Sequence, residues 1–224
     1  MIVIIGAQQE ETLEIKNKMN VENTYKFLNY DVYEGTLNGV SVVLTSGGIG
    51  KVGSTIITST MLNKYDVSRV INVGTCGGVG DVKPYDIIVG NHLVYLDADV
   101  RAFNYEYGQM AGCPRYFSCD IDGQKVLLKY DAKSGDMVSG DSFVTKNHLL
   151  YPMISSFKDM NIKTIDMEAT SIAQTCFTYG VKFNIIRIVS DRLEGSDQIT
   201  SYEEVLKYSS KKIAEILYDA IINL

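Results

Sequence analysis

Hydrophobic residues along this chain fall in short dense runs, each closed by small or polar residues and most followed by a stretch of helical spacing. Residues 2–5 (Ile-Val-Ile-Ile), closed by Gly6-Ala7, predict a buried strand. Residues 8–19 predict a helix, with Leu13 and the Ile15/Met19 pair at apolar spacing and Glu10-Glu11 in its first turn, where acids suit the helix dipole. Tyr30–Leu37 and residues 40–44 predict two strands joined across Asn38-Gly39, a strong hairpin signal. Residues 46–52 form a glycine-dense loop leading into a helix. Residues 69–73 predict another buried strand, followed at once by a second glycine-dense loop at 74–80. Residues 86–89 are strand-like, residues 137–144 predict a strand ending in a stacking aromatic, and residues 182–189 predict a strand that delivers Ser190-Asp191 at its end. The last helix opens on a capping box at Ser201-Tyr202-Glu203-Glu204 and presents Val205, Tyr208, Ile213, Ile216, Leu217, Ala220 and Leu224 as its apolar face.

Strands alternating with helices argue for an α/β fold with a parallel or mixed sheet, the hairpin adding antiparallel edges. Nothing along residues 1–224 reads as a linker, a repeat or a low-complexity tract, so one domain is expected. Residues 164–176 stand at its centre. A β-prone run ends there, and Ile172, Ala173 and Cys176 then share one apolar helical face. Asp166 and Glu168 are two apart, so in extended chain they point the same way and Met167 the other. The segment reads either as a carboxylate delivered into a pocket at a strand-to-helix switch, or simply as an acidic helix start.

Charge and cysteine usage narrow the chemistry. The net charge is −6 with no basic block, which makes nucleic acid and anionic membranes poor partners. The N-terminal apolar run is too short for a span and has no basic leader, so the cytoplasm is expected. Cys76, Cys113, Cys119 and Cys176 show neither metal-ligand spacing nor a redox pair, and His92 and His148 are the only histidines. With no metal or cofactor implied, the chemistry falls to carboxylates.

In a sheet of this kind the strand ends share one rim. Glu11, Glu168 and Asp191 would meet there with both glycine loops, with Arg187 four residues before Asp191 and so expected on the same face. Three acids, one Arg, backbone amides and the aromatic Phe143 suit a neutral, hydroxyl-rich ligand with a flat ring, not a polyphosphate. The ordered set Ile5-Gly6-Ala7, Glu10-Glu11, residues 46–52, residues 74–78, Asp97-Ala98-Asp99-Val100 with Phe103 and Tyr105 to Gln109, Ser139-Gly140-Asp141, Met167-Glu168-Ala169 and Ser190-Asp191 resembles the methylthioadenosine/S-adenosylhomocysteine nucleosidases, of the purine nucleoside phosphorylase/uridine phosphorylase family. The likeness runs from the first strand to the last helix.

That resemblance implies a three-layer α/β/α sandwich around a mixed, barrel-like sheet. It implies hydrolysis of the N-glycosidic bond of 5′-methylthioadenosine and S-adenosylhomocysteine, with 5′-deoxyadenosine as a further candidate substrate. Glu11 would activate water and Asp191 would protonate adenine N7, making adenine a neutral leaving group. Met167 and Glu168 would hold the ribose, and Phe143 and Val144 the adenine. Thr75, Gly77 and Arg187 would lie around the water and sugar, with Ile49 and Ser190 bordering the pocket. Phe103 and Tyr105 would come from the neighbouring subunit of a homodimer. The chain departs from the family pattern at Gln8, Thr75, Ala111, Asp166 and Arg192-Leu193-Glu194, and Tyr202 fits the aromatic over the adenine only with one residue inserted before it. A phosphorolytic relative would need cations around a phosphate, where Arg187 alone is on hand. An idle nucleoside-binding protein would have lost an acid, and a nicotinamide oxidoreductase would show a fingerprint that the first strand lacks.

Overall fold

A computed structural model describes residues 1–193 and 202–224. The elements are β1 (Ile2–Gly6), α1 (Gln9–Lys18), β2 (Asn20–Phe27), β3 (Tyr30–Leu37), β4 (Val40–Ser46), α2 (Gly50–Lys64), β5 (Arg69–Gly78), β6 (Ile87–Tyr95), β7 (Phe117–Ser118), α3 (Ile121–Leu127), β8 (Lys133–Ser139), β9 (Ile162–Asp166), α4 (Ala169–Tyr179), β10 (Lys182–Arg192) and α5 (Tyr202–Ala220).

All strands join one mixed sheet in the order β10-β6-β8-β9-β5-β1-β4-β3-β2, with β7 on β6 and a further β10–β5 pairing that closes β5, β10, β6, β8 and β9 into a barrel. The closure depends on how β5 shares its edges. β10 runs along one edge, from Arg69↔Lys182 to Gly78↔Arg192. The other edge serves β1 as far as Gly6↔Val73, and then β9 at Gly77↔Ile165 and Gly78↔Thr164. Neighbouring strands separate at this handover. The glycines let them cross: a Cβ on Gly78 would stand 2.8 Å from both Val189 and Val82 side chains.

Alternation along buried strands sorts the core into two sides. Ile2 and Ile4 of β1, with Ile186 and Ile188 of β10, pack with Ile15, Val205, Ile213 and Leu217 on one side. Val3, Ile5, Ile185 and Val189 pack with Ile57, Met61, Ile172 and Cys176 on the other. Helices thus cover both faces of the sheet, the expected three-layer arrangement around a mixed barrel. A third cluster, including Leu96, Val138, Val144, Phe157 and Ile165, fills one end.

Four expectations need correction. Residues 74–78 are not loop but the last part of β5, because paired edges and missing side chains keep glycine extended there. The strand expected over residues 137–144 stops at Ser139, leaving Phe143 and Val144 on a loop. Leu13 lies outside the helix's buried face and is 50% exposed, while Ile15 and Met19 are buried. Tyr208 is exposed and meets Tyr85 edge-on at 4.9 Å between centroids. The capping box at Ser201 and the departure at Glu194 fall outside the described residues.

Candidate active site

One cleft, open to solvent, lies at the strand ends beside the handover on β5. Its lining includes Gln8 and Glu11 after β1, Ile49 before α2, Thr75, Cys76 and Gly77 of β5, Phe143 and Val144 after β8, Asp166, Met167 and Glu168 around the end of β9, and Ser190-Asp191 of β10. The structure therefore gathers ten of the expected residues on one wall system: Glu11, Asp191, Gly77, Val144, Met167, Glu168, Phe143, Ile49, Thr75 and Ser190.

Glu11 stands in the first turn of α1. Its Oε2 accepts hydrogen bonds from the Ala7 and Gln8 amides at 2.8 and 3.0 Å. Its Oε1 accepts from the Thr75 amide at 3.0 Å and, at the long distance of 3.4 Å, from the Thr75 hydroxyl. Gly74 makes this approach possible, since a Cβ there would lie 2.6 Å from Glu11 Oε1.

Across the cleft, the register of β10 slips between Val189 and Asp191. Such a bulge re-aims the side chains that follow it. Asp191 lines the cleft, whereas Arg187 is fully buried behind it, so the same-face expectation for this pair fails. The Arg187 guanidinium donates to Asp166 Oδ2 at 3.0 Å and to Asn72 Oδ1 at 2.5 Å. Ser190 Oγ lies 2.5 Å from Asp191 Oδ1 and 3.0 Å from the Cys76 carbonyl oxygen. Its single proton can serve one of them at a time, so Ser190 can donate to an ionised Asp191 or accept from a protonated one.

Asp166 works from beneath. Its Oδ1 accepts from Ser139 Oγ at 2.6 Å and from the amides of Glu168 and Ala169, each at 3.1 Å. This fixes the turn that opens α4 and carries Met167 and Glu168. Extended alternation ends at Asp166, so Met167 shares the cleft with its acidic neighbours instead of pointing away. Glu168 Oε1 accepts the Gly50 amide at 2.9 Å. Burial, reinforced by the Asp166 charge, pushes the Glu168 carboxyl up to about 7, against the pull of the Gly50 amide and Arg187. Cys76 is a cleft residue that sequence reasoning missed; burial keeps its thiol well above the usual range, so it is no nucleophile.

Phe103 and Tyr105 do not line this chain's cleft, and Phe103 is 76% exposed. Tyr107 of the same segment folds back, donating to the Leu96 carbonyl and packing on Phe157 at 5.6 Å between centroids.

Residues 1–222 match the phosphorylase superfamily. A 5′-methylthioadenosine/S-adenosylhomocysteine nucleosidase of Staphylococcus epidermidis is 36% identical, over 99% of this chain and 100% of that protein. The chain belongs to this nucleosidase family of the phosphorylase superfamily. Among solved structures, it is similar to the family's member from Colwellia psychrerythraea in complex with adenine, at 28% identity and a TM-score of 0.91, covering 100% of this chain and 95% of that one. It is also similar to the futalosine hydrolase of Helicobacter pylori, at 26% identity and a TM-score of 0.90, covering 100% and 97%.

Proposed function

We propose that this protein hydrolyses the N-glycosidic bond of 5′-methylthioadenosine and S-adenosylhomocysteine, releasing adenine and the 5-substituted ribose. One observation carries the choice of hydrolysis: Glu11, Glu168 and Asp191 converge on a cleft whose described lining contains no Lys or Arg. Phosphorolysis needs a bound dianion, held by cations or free helix amides. Arg187 is committed to Asp166 and Asn72, and the amides before α1 are committed to Glu11. The relatives' names and the adenine complex support the substrate class.

Phe143 and Val144 take the adenine, and Asp191 gives a proton to N7 as the C1′–N9 bond breaks and its electron pair leaves with the base. Glu11 takes a proton from the water that attacks C1′. Glu168 accepts the ribose 2′- and 3′-hydroxyls, and its charge favours the cationic sugar more than the neutral substrate. The two-carboxylate division of labour is that of glycoside hydrolysis.

The enzyme acts as a homodimer. Ile49 and Val52, 62% and 70% exposed, form with Ile56 an apolar stripe at helical spacing, and Phe103 and Met110 add further exposed apolar surface. A second chain would cover this surface and bring Phe103 and Tyr105 to the open side of the cleft. Light scattering should give a dimer, and Phe103→Asp should weaken dimer and activity together; a fully active monomer would refute this.

The deciding experiment follows adenine release from a panel of 5′-modified adenosines, including 5′-deoxyadenosine, with and without millimolar phosphate. Equal rates and a free ribose product are expected. Ribose 1-phosphate derivatives among the products would overturn the hydrolase reading.

A further inference from the structure

The purine side of the cleft has no strand beneath it. Once β8 ends at Ser139, residues 140–144 must be held by other means, and the hydrogen bonds show which. The Gly140 amide donates to the Asp166 carbonyl at 3.2 Å. The Asp141 amide donates to Asp97 Oδ2 at 2.9 Å. The Asp141 side chain, in turn, accepts the Lys51 amide at 2.7 Å.

Lys51 belongs to the first turn of α2, next to the residue that reaches the ribose acid. Gly50 donates its amide to Glu168 Oε1, with a φ of +79° and a would-be Cβ only 2.9 Å from Asp141 Oδ1. A side chain at this position would be strained and crowded, so the two adjacent amides of Gly50 and Lys51 are free to diverge, one to each subsite. The Lys51 ammonium then lies 2.8 Å from Asp97 Oδ2 and 3.7 Å from Asp141 Oδ2, with the Tyr95 ring 5.4 Å away. It is the cation between two carboxylates. Asp97 Oδ1 is buried and has no hydrogen-bond partner among the described residues, and Lys51 is the cation that compensates its carboxylate.

We infer that Lys51, Asp97 and Asp141 form an ionic clamp that locks the purine loop onto the start of α2 and thereby couples it to the ribose carboxylate Glu168. These are positioning residues for the reaction proposed above, and the clamp's contribution to substrate handling rests on that reading. Without the ammonium, Asp97 and Asp141 repel each other, residues 140–144 loosen, and Gly50 loses the anchor that aims its amide at Glu168.

The test compares wild type, Lys51→Met and Lys51→Arg. In Lys51→Met, amides of residues 140–144 should exchange with deuterium faster while the sheet keeps wild-type protection, a result that needs no turnover. KM for methylthioadenosine should rise about tenfold, with a smaller change in kcat, and the adenine dissociation constant should rise in parallel. Lys51→Arg should restore most of both. Asp166, Glu11 and Arg187 also act on Glu168, and all three remain in place in these variants. Loss of the Gly50 donor alone should therefore move the acid limb of kcat/KM up by about half a pH unit, a shift that general loosening would not produce. Should Lys51→Met fail to fold, Asp97→Asn decides by the same readouts. Wild-type exchange across residues 140–144 in a folded Lys51→Met or Asp97→Asn variant overturns the clamp, whether or not the enzyme turns over. A wild-type chain that releases no adenine would instead overturn the nucleosidase reading.

Discussion

Glu11 and Glu168 face the same cleft, are 4% and 8% exposed, and stand in opposite surroundings. Glu11 receives three backbone amides and one hydroxyl, from two elements. Glu168 receives one amide among the described residues and has a second acid behind it. The first carboxylate is fixed by the protein with its oxygens aimed. The second is left short of donors, and a ligand bearing two adjacent hydroxyls would supply them. In the proposed reaction one residue type thus serves as an oriented base in one place and as a docking group in the other, the difference lying in the neighbouring donors and charges.

The largest test removes acid–base help outright. Asp191→Asn and Glu11→Gln should each lower turnover about 100- to 10,000-fold, while adenine still binds within about tenfold, as titration calorimetry would show. An Asp191→Asn enzyme with a tenth of normal turnover would sink its assignment as the acid.

Glu168→Gln should do less, because it affects docking more than bond breaking. An amide accepts one hydroxyl but turns a donor toward the other, at a cost of about 1.5–3 kcal/mol. That corresponds to about 10- to 150-fold in kcat/KM on ribosides and less on the 2′-deoxy analogue. Equal losses on both substrates would remove the distinction drawn between the two glutamates.

The third test needs no substrate. A carboxyl held at about 7 in the folded chain, against 4.5 for a free glutamate side chain, is costly to ionise there. The cost is absent below pH 4.5, grows as pH rises, and is complete above about 7. Glu168→Gln should therefore stabilise the ligand-free protein by on the order of 3 kcal/mol at pH 8 and by little at pH 4.5. Melting curves at the two pH values check the sign; an equal gain at both would break the comparison. Last and smallest, Thr75→Val should change kcat/KM by no more than about threefold, because the Thr75 amide stays at 3.0 Å while the lost hydroxyl contact is long.

Much of this was legible in the chain. Runs such as residues 2–5 and 182–189 carry both core faces, so apolar density alone marked them as buried strands, and the acids that follow such runs marked the rim. The site residues themselves came mainly through the family resemblance. Three kinds of feature escaped. β2 is an exposed edge strand of mostly polar residues, without the apolar alternation that reveals a strand. Glycine in β5 reads as a loop until the pairing partners on both edges are known. The bulge at Ser190 separates Arg187 from Asp191, and no spacing rule anticipates an extra residue. Asp166 was noticed as a neighbour of Glu168 and as a departure from the family pattern, not as the residue that holds the turn. Its hold on the Glu168 and Ala169 amides is a matter of distances.

Because one strand serves three neighbours, β5 also sets an order in which the molecule comes apart. β2 hangs from the sheet by a single partner and can fray with little lost. Releasing residues 77–78 means parting β5 from β9 and β10 together, which opens the barrel along its seam. Exchange of those amides should accordingly require near-global unfolding, whereas β2 exchanges through local opening. The β5 wall of the cleft is then among the last parts of the chain to be lost under stress, whereas residues 140–144, held through Asp97 and Lys51, can loosen on their own.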